Sequence, residues 1–346
     1  MRTITDFIIR FGIIEFALSI FALINAFTFA LYAVDKRKAI KNKWRIRESV
    51  MIFFTLALGG VGALLAMLLC KHKIRSGKFK VATAVGLLIA LVPLIHIAHA
   101  LTLDGIVRFT ELDFASENWP QELDGYRIAF MTDFHVIADD DMRDIAAELN
   151  RRNIDLLLLG GDFSTRNAHY QGTLREIAAV STADGIFGVE GNHDAHITLF
   201  AAMRQHGIMP LDNTGLHLHN GFFLAGVHDK WNRSPDIAAA TAGTHAGDFV
   251  LLISHNPDVA MVQSTIGVDL ILSGHTHGGQ ITFFGFPIYL LRGSISDYGT
   301  RFGRGFADSE DGVPVFTSGS VGVYYSIPRV FARPEVVIFT MRRADG

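Results

Sequence analysis

The sequence predicts an α/β domain preceded by an α-helical transmembrane region. Three apolar stretches, at residues 11–34, 50–70 and 81–103, approach the ~20 residues that a helix needs to cross a bilayer. From residue 125 onward, short apolar runs alternate with amphipathic segments, the pattern of an α/β sheet. Charge divides the chain at the same place: residues 1–103 hold 14 basic and 4 acidic side chains (+10), whereas the remainder holds 17 and 30 (−13).

Basic residues of the membrane region concentrate in two loops, 36–47 and 71–80, which contain 12 of its 14 Lys and Arg. Such clusters favour anionic lipids and the cytoplasmic face. Three full crossings would place the loops on opposite faces. Gly59 and Gly60 offer an alternative, because glycine weakens a helix by about 1 kcal/mol. The stretch 50–70 could then be a re-entrant hairpin, although glycines that only allow close helix packing stay the other interpretation.

The remainder of the chain excludes some classes of function. Residues 104–124 are expected to form a linker, and residues 125–346 a globular domain. That domain is acidic and contains a single lysine, Lys230, so we expect no nucleic acid partner. The only cysteine, Cys70, excludes a disulfide within the chain. The sequence predicts no particular oligomeric state.

Apolar runs and helical patterns give the order of elements in this domain. Buried strands are predicted at 127–131, 154–159, 185–189, 222–227, 249–253 and 268–272. Helices are predicted at 141–150, 173–180, 198–205 and 257–264. Polar motifs follow the strand ends, where open α/β sheets usually place their sites.

Five such motifs occur in a fixed order. They are Asp133-Phe-His135, Gly161-Asp162, Gly191-Asn192-His193-Asp194, Ser254-His255-Asn256 and Gly274-His275-Thr276-His277. Carboxylates combined with imidazoles suit Mn, Fe or Zn. Asp162 ends a leucine run, where a buried carboxylate costs several kcal/mol unless it has a partner. One carboxylate bridging two ions about 3.5–4 Å apart would clamp both oxygens of an in-line displacement.

The tetrapeptide 191–194 offers three functions at consecutive positions. The Asn192 carbonyl can ligate a metal, His193 can donate a proton to a leaving group, and Asp194 can orient that imidazole and favour its protonated form. A simple turn after a strand is the other interpretation of this tetrapeptide.

Together the motifs resemble the calcineurin-like metallophosphoesterase superfamily, across about residues 125–340. The resemblance implies a metallophosphoesterase-type β-sandwich flanked by helices. It implies one ion held by Asp133, His135, Asp162 and His277, and a second held by Asp162, Asn192, His255 and His275. It also implies attack on phosphorus by a hydroxide that the metals hold. His193 would be the general acid and Asp194 its orienting partner.

Two further segments resemble a membrane-associated bacterial branch of that superfamily: Gly278-Gly279-Gln280-Ile281 and residues 329–335. Residues 20–80 resemble a small bacterial integral-membrane family of unknown function. We therefore expect a multi-pass protein of the bacterial inner membrane that contacts membrane lipids. We favour an extracytoplasmic catalytic domain over a cytoplasmic one, because both basic loops can then be cytoplasmic.

The expected function is that of a membrane-anchored phosphohydrolase with two divalent ions (Mn, Fe or Zn), cleaving a phosphate ester or anhydride. The substrate would be a phosphorylated small molecule or lipid, with Arg166, His196 and Arg301 as candidate contacts. One alternative is a UDP-2,3-diacylglucosamine-type pyrophosphatase, whose substrate is cytoplasmic; another is a non-catalytic metal-dependent sensor. The Gly- and Arg-rich segment 292–312 has no assigned role.

Overall fold

The chain folds into two compact units, residues 4–101 and 102–346. The structure, a computed structural model, describes residues 4–135, 137–165, 170–287, 295–324 and 329–344, with side chains from residue 15 onward.

The first unit is helical. It consists of α1 (Ile4–Ile40), α2 (Glu48–Phe54), a π-helical turn (Thr55–Gly59), α3 (Gly60–Leu69) and α4 (Gly77–Thr102). Three segments are long and apolar enough to cross a membrane, judged by length and composition: Glu15–Ile40, Glu48–Leu69 and Gly77–Thr102. They coincide with the three apolar stretches of the sequence, and the first and third extend further into the basic loops than predicted.

The middle segment is broken at its centre. Ala57 and Leu58 leave the helical conformation, and Leu58 has a φ of 67°. Asn25 of α1 satisfies the freed backbone: its Nδ2 donates to the Leu58 carbonyl (3.0 Å), and its Oδ1 accepts from the Gly62 amide (2.8 Å). A Cβ on Gly62 would lie 2.0 Å from the Asn25 carbonyl oxygen. Protein groups therefore stabilise the break, as a lipid environment would require.

Both ends of this segment contact the same residue of α1. Asp35 accepts hydrogen bonds from Arg45 Nη2 (2.5 Å) and the Ile46 amide (3.0 Å), which precede α2. It also contacts His72 Nε2 (2.8 Å), which follows α3. The middle segment thus begins and ends near the same residue of α1, which is the geometry that a re-entrant hairpin needs. The topology in a bilayer stays a prediction.

The second unit contains two six-stranded sheets. The first has the order β1 (Arg108–Ser116), β12 (Glu335–Arg343), β2 (Arg127–Met131), β3 (Leu156–Leu159), β4 (Ile186–Gly188) and β5 (Met209–Pro210). The second has the order β10 (Gly305–Asp308), β11 (Pro314–Thr317), β9 (Leu270–Ser273), β8 (Phe249–Ile253), β7 (Phe222–Gly226) and β6 (Thr214–His219). Strands β2 to β5 are parallel, as are β7, β8, β9 and β11.

Alternation along the strands builds the sandwich. Phe130 and Leu158 belong to the core between the sheets, together with Phe249 of the second sheet, whereas Met131 and Leu159 face outward. The outward side chains pack under α5 (Asp139–Arg151), α6 (Tyr170–Ile177) and α7 (His196–Gln205). Two short helices, α8 (Ile237–Ala240) and α9 (Val259–Val262), cover the second sheet. The expected β-sandwich flanked by helices is confirmed.

The expected linker at 104–124 differs from the structure. Residues 108–116 form β1, which pairs in parallel with β12 over its full length. Its alternating, half-exposed pattern contains charged residues at Arg108, Glu111 and Asp113, so the segment lacks the apolar run of a buried strand. Such an edge strand depends on a partner more than 200 residues away, which no local pattern shows.

Candidate dinuclear metal centre

The seven candidate ligands lie just past the ends of neighbouring strands. Strands β2, β3 and β4 are adjacent in one sheet, and β8 and β9 are adjacent in the other. Because the carboxyl ends of parallel strands share an edge, the two sheets bring their loops together. Six of the candidates are buried, and Asn192 is half-buried. The buried six are Asp133, His135, Asp162, His255, His275 and His277.

One group of ligand atoms surrounds His135. Its Nε2 lies 3.1 Å from His277 Nε2 and 3.3 Å from Asp162 Oδ2. His277 Nε2 lies 3.4 Å from Asp133 Oδ1. These spacings fit ligand atoms on a single ion, since bonds of about 2.0–2.2 Å in tetrahedral geometry separate neighbouring ligands by about 3.3 Å.

A second group surrounds His255. Its Nε2 lies 3.1 Å from Asn192 Oδ1, 3.3 Å from His275 Nδ1 and 3.3 Å from Asp162 Oδ2. Asp162 Oδ2 therefore faces both groups, the position of a carboxylate that bridges two ions.

The other nitrogen of each histidine has a partner that fixes the ring. His255 Nδ1 donates to the Gly160 carbonyl (2.7 Å), and His275 Nε2 donates to the Ile295 carbonyl (3.0 Å). His135 Nδ1 contacts Thr165 Oγ1 (3.2 Å), and His277 Nδ1 contacts Ser320 Oγ (3.3 Å). Metal-bound histidines usually have such outer partners, which set the tautomer and aim the free nitrogen inward. The residues present thus fit two divalent ions.

Backbone conformation supports the same conclusion. Five of the seven candidates have positive φ angles: Asp133 (56°), His135 (35°), Asp162 (56°), His275 (72°) and His277 (55°). Left-handed non-glycine residues are uncommon and tend to cluster at functional sites. The tight turns also need small neighbours, because a Cβ on Gly191 would lie 2.2 Å from Asp162 Oδ1.

Burial keeps two of the candidate histidines neutral. Burial lowers the pKa of His135 to about 4 and that of His275 to about 3, so both rings are neutral and can offer a lone pair. Burial raises the pKa of Asp133 to about 6. Burial alone would lower the pKa of His255, but Asp162 and Asp133 raise it above its ordinary value.

His193 lies at the mouth of the centre. Its half-buried ring is 5.3 Å from the His135 ring and 5.2 Å from the Tyr324 ring, measured between centroids. Its backbone amide donates to Asp162 Oδ1 (2.8 Å). The side chain therefore lies beside the candidate ligands and is partly exposed, which the expected role of proton donor requires.

The Asp194 carboxylate contacts the backbone of two loops, and its expected role of orienting the His193 imidazole stays a prediction. Its carboxylate accepts hydrogen bonds from the backbone amides of Asp162 (2.8 Å), Phe163 (2.9 Å) and Gly191 (2.9 Å). Asp194 thus ties the 191–194 turn to the loop that carries Asp162.

Three residues near the centre were not predicted from the sequence. Tyr324 places its ring 5.1 Å from the His135 ring, and Trp231 places its ring 4.5 Å from the His275 ring. Asn232 Nδ2 donates to the Asn192 carbonyl oxygen. They come from loops after β7 and β11, and no local motif distinguishes them. The nearest sequence signal is the segment 329–335, which follows Tyr324 and resembles the bacterial branch.

Two of the three candidate substrate contacts can be located among the described residues. Arg166 lies outside the described residues. His196 contacts Glu190 Oε2 through Nδ1 (2.7 Å), within a separate cluster. Arg301 Nη2 donates to the Asp308 carbonyl (2.7 Å) and its side chain is exposed. The role of His196 and Arg301 as substrate contacts stays a prediction.

Comparison with known proteins agrees with this geometry. Residues 126–279 match the model of the Calcineurin-like phosphoesterase family, and residues 25–79 match that of a family described as a protein of unknown function (DUF1294). An uncharacterized metallophosphoesterase of Helicobacter pylori is 28% identical over 235 residues, which cover 62% of this chain and 58% of that protein. The chain thus spans less than two thirds of that relative.

Two further similarities come from Danio rerio. A transmembrane protein with metallophosphoesterase domain is 22% identical over 323 residues, covering 85% of this chain and 71% of that protein. The solved structure of a dimetal phosphatase has 11% sequence identity and a TM-score of 0.36, covering 56% of this chain and 87% of that chain. Family match and motif order agree: residues 126–279 of this chain are similar to the calcineurin-like phosphoesterase family.

Proposed function

We propose that this protein is a membrane-anchored phosphohydrolase that uses two divalent metal ions to cleave a phosphate ester or anhydride. The observation that carries the proposal is the shared position of Asp162 Oδ2, 3.3 Å from both His135 Nε2 and His255 Nε2. When bound, the two ions supply an activated water and positive charge for the phosphoryl oxygens.

The chain's own residues supply positioning and a proton. The two ligand groups would place the phosphoryl group beyond the strand ends, beside the His193 ring. His193, as imidazolium, would donate its proton to the leaving oxygen. Asp194 would hold the 191–194 turn in place through its three backbone hydrogen bonds. The charge of −13 on residues 104–346 leaves the ions as the main attraction for an anionic substrate.

Turnover by purified, metal-loaded protein tests this function. We expect Mn-, Fe- or Zn-dependent hydrolysis of an aryl phosphate or an aryl phosphodiester. The His193→Ala variant should lower kcat by about 10²–10⁴-fold, the usual scale of general-acid catalysis. Its metal content should match the wild type, because His193 is not a ligand.

His206→Ala, which changes the histidine that follows α7, is the matched control and should turn over normally. Absence of hydrolysis at every metal loading would contradict the proposal and favour the sensor.

A lipid-linked phosphate is the substrate class we propose, because the chain has three membrane-length segments. A phosphorylated lipid in mixed micelles should have at least a tenfold higher kcat/KM than its water-soluble headgroup analogue. Equal values for the two substrates would contradict a lipid substrate while leaving the phosphohydrolase intact.

We further propose that the catalytic domain is extracytoplasmic in a bacterial inner membrane. Asp35 contacts both ends of the middle segment, and Glu48 forms ion pairs with Lys73 (2.5 Å) and Lys78. Both basic loops thus belong to one end of the first unit. If that end is cytoplasmic, α4 leads to the opposite face.

The single cysteine makes the topology testable. Cys70 adjoins the second basic loop, and Glu117 is exposed in the second unit. A membrane-impermeant maleimide on intact cells should leave the wild type unlabelled and label Cys70→Ser/Glu117→Cys. Labelling only after lysis would place the domain in the cytoplasm. It would then support the UDP-2,3-diacylglucosamine-type pyrophosphatase, whose substrate is found there.

A further inference from the structure

A second cluster of ligand-type side chains lies behind the 191–194 turn. It contains Glu190, at the end of β4, and His196, the first residue of α7. His228 and Asp212 join them from the segments that follow β7 and β5. The Glu190 carboxylate is 2% exposed, and the two imidazoles are about 15% exposed.

The two histidines have the same orientation toward the two acids. His196 Nδ1 lies 2.7 Å from Glu190 Oε2, and His228 Nδ1 lies 3.1 Å from Glu190 Oε1. On the opposite side, His228 Nε2 lies 2.9 Å from Asp212 Oδ1, and His196 Nε2 lies 3.5 Å from Asp212 Oδ2. Both Nδ1 atoms therefore converge on the buried acid, while both Nε2 atoms face the half-exposed one.

This arrangement has the features of a metal site. Ligand atoms of Glu190, His196 and His228 all lie within 4.8 Å of one another. Two imidazole nitrogens and one carboxylate form a common protein ligand set for zinc, with a fourth position left for water. A carboxylate on the far nitrogen is the usual partner that orients a metal-bound histidine. Asp212 has that position for both rings.

We propose that Glu190, His196 and His228 bind a third divalent ion of the zinc class, with Asp212 orienting both imidazoles. None of these residues belongs to the two ligand groups of the dinuclear centre, so the site is separate from it. It is close to that centre along the chain, because Glu190 directly precedes the 191–194 turn. An ion here would fix the start of the turn that presents Asn192 and His193.

Arg233 is the competitor for this ion. Its Nε lies 3.3 Å from Glu190 Oε1, so it can neutralise the acid when no ion is bound. Its side chain is 39% exposed, which allows the guanidinium to turn into solvent. A network of Glu190, Arg233 and protonated histidines is the alternative without a metal. The two arrangements differ in metal stoichiometry and in the effect of removing Arg233.

Metal analysis of the full-length protein in detergent distinguishes the metal-bound cluster from the network without a metal. After equilibrium dialysis against micromolar Zn²⁺, we expect three equivalents per chain in the wild type and two in His228→Gln. Asp162→Asn should retain one, because it removes only the dinuclear centre. The matched control is His245→Gln. His245 lies in a cluster with His217 and Asp248, and its side chain is 77% exposed. It should retain three equivalents.

Arg233→Ala provides a test that misfolding cannot imitate. Removing the competing guanidinium should tighten the affinity for the third equivalent several-fold. Two equivalents in the wild type, unchanged in His228→Gln, would overturn the proposal. So would an Arg233→Ala variant that binds the third ion no more tightly than the wild type. Neither outcome depends on turnover, so the phosphohydrolase proposal stands or falls separately.

Discussion

Asp35 of the helical unit and Asp162 of the sandwich are both buried, yet their surroundings differ. Asp35 has a guanidinium, an imidazole and a backbone amide within hydrogen-bonding distance, which together compensate its charge. Asp162 contacts two imidazoles that are themselves buried. Among the described residues, no lysine or arginine forms an ion pair with it. A buried acid with complete partners is part of the framework, whereas one without them indicates a site for a cation.

The strongest way to test this contrast is to remove the negative charge at the centre. Asp162→Asn should lose both ions and lower turnover by at least about 10³-fold, since the ions supply several kcal/mol of transition-state stabilisation. Asparagine tolerates the positive φ at this position, so the fold should persist. Metal analysis and kinetics check the result, with the exposed Asp141→Asn as control. Full metal content in Asp162→Asn would show that Asp162 is not the bridging ligand.

A smaller effect is expected from the corresponding change in the helical unit. Asp35→Asn should lower the stability of the detergent-solubilised protein by about 1–3 kcal/mol, because it weakens charge-assisted hydrogen bonds. Metal content should not change, since the candidate ligands all belong to the other unit. Glu48→Gln is the matched control: that carboxylate is 40% exposed, so the loss should be below about 1 kcal/mol. Equal thermal shifts in the two variants would contradict the distinction between them.

The smallest effect should depend on pH. Burial alone would raise the pKa of Glu335, but Arg304, the Gly319 amide and Arg108 hold it below its ordinary value. A lowered folded-state pKa stabilises the protein above the unfolded value of about 4.3, and this contribution is lost as pH falls through the folded value. Glu335→Gln should therefore cost about 1–2 kcal/mol at pH 7.

The difference in the free energy of unfolding between Glu335→Gln and the wild type should decrease below about pH 4. Denaturant unfolding of both proteins at pH 7 and pH 3.5 measures this difference. Because both proteins lose bound ions at low pH, the comparison cancels that effect. An equal gap at the two pH values would mean that the change disturbs packing rather than charge.

Strands and candidate ligands could be predicted best where an apolar run is followed directly by polar residues. The runs before Asp133, Asp162 and His255 are short, apolar and followed by polar ligands, so both the strand and the convergence of its loop could be anticipated. The break near Gly59 was also visible, although the non-helical residues are Ala57 and Leu58, just before the glycines. Gly59 lies where the chain packs closely against α1, and the backbone leaves the helical conformation just before it.

Prediction failed where contacts join distant segments or depend on direction. Tyr324 reaches the His135 ring across almost 190 residues, and only the closed sandwich shows it. His196 follows the 191–194 turn closely, which made it a plausible phosphate contact. In the structure its Nδ1 lies 2.7 Å from Glu190 Oε2. Neighbouring positions in a sequence therefore indicate which side chains are near a site, but not which way each one points.

The left-handed backbone at five candidate ligands has a consequence for how much of this protein a cell can maintain. These conformations are unfavourable by roughly 1 kcal/mol or more each whether or not ions are present. Ligands that bind only the folded chain shift its equilibrium toward the native state, and unfolded chains are removed by proteases. We therefore expect metal starvation to lower the abundance of the protein as well as its turnover. The supply of metal ions would then help to determine how much folded protein escapes proteolysis.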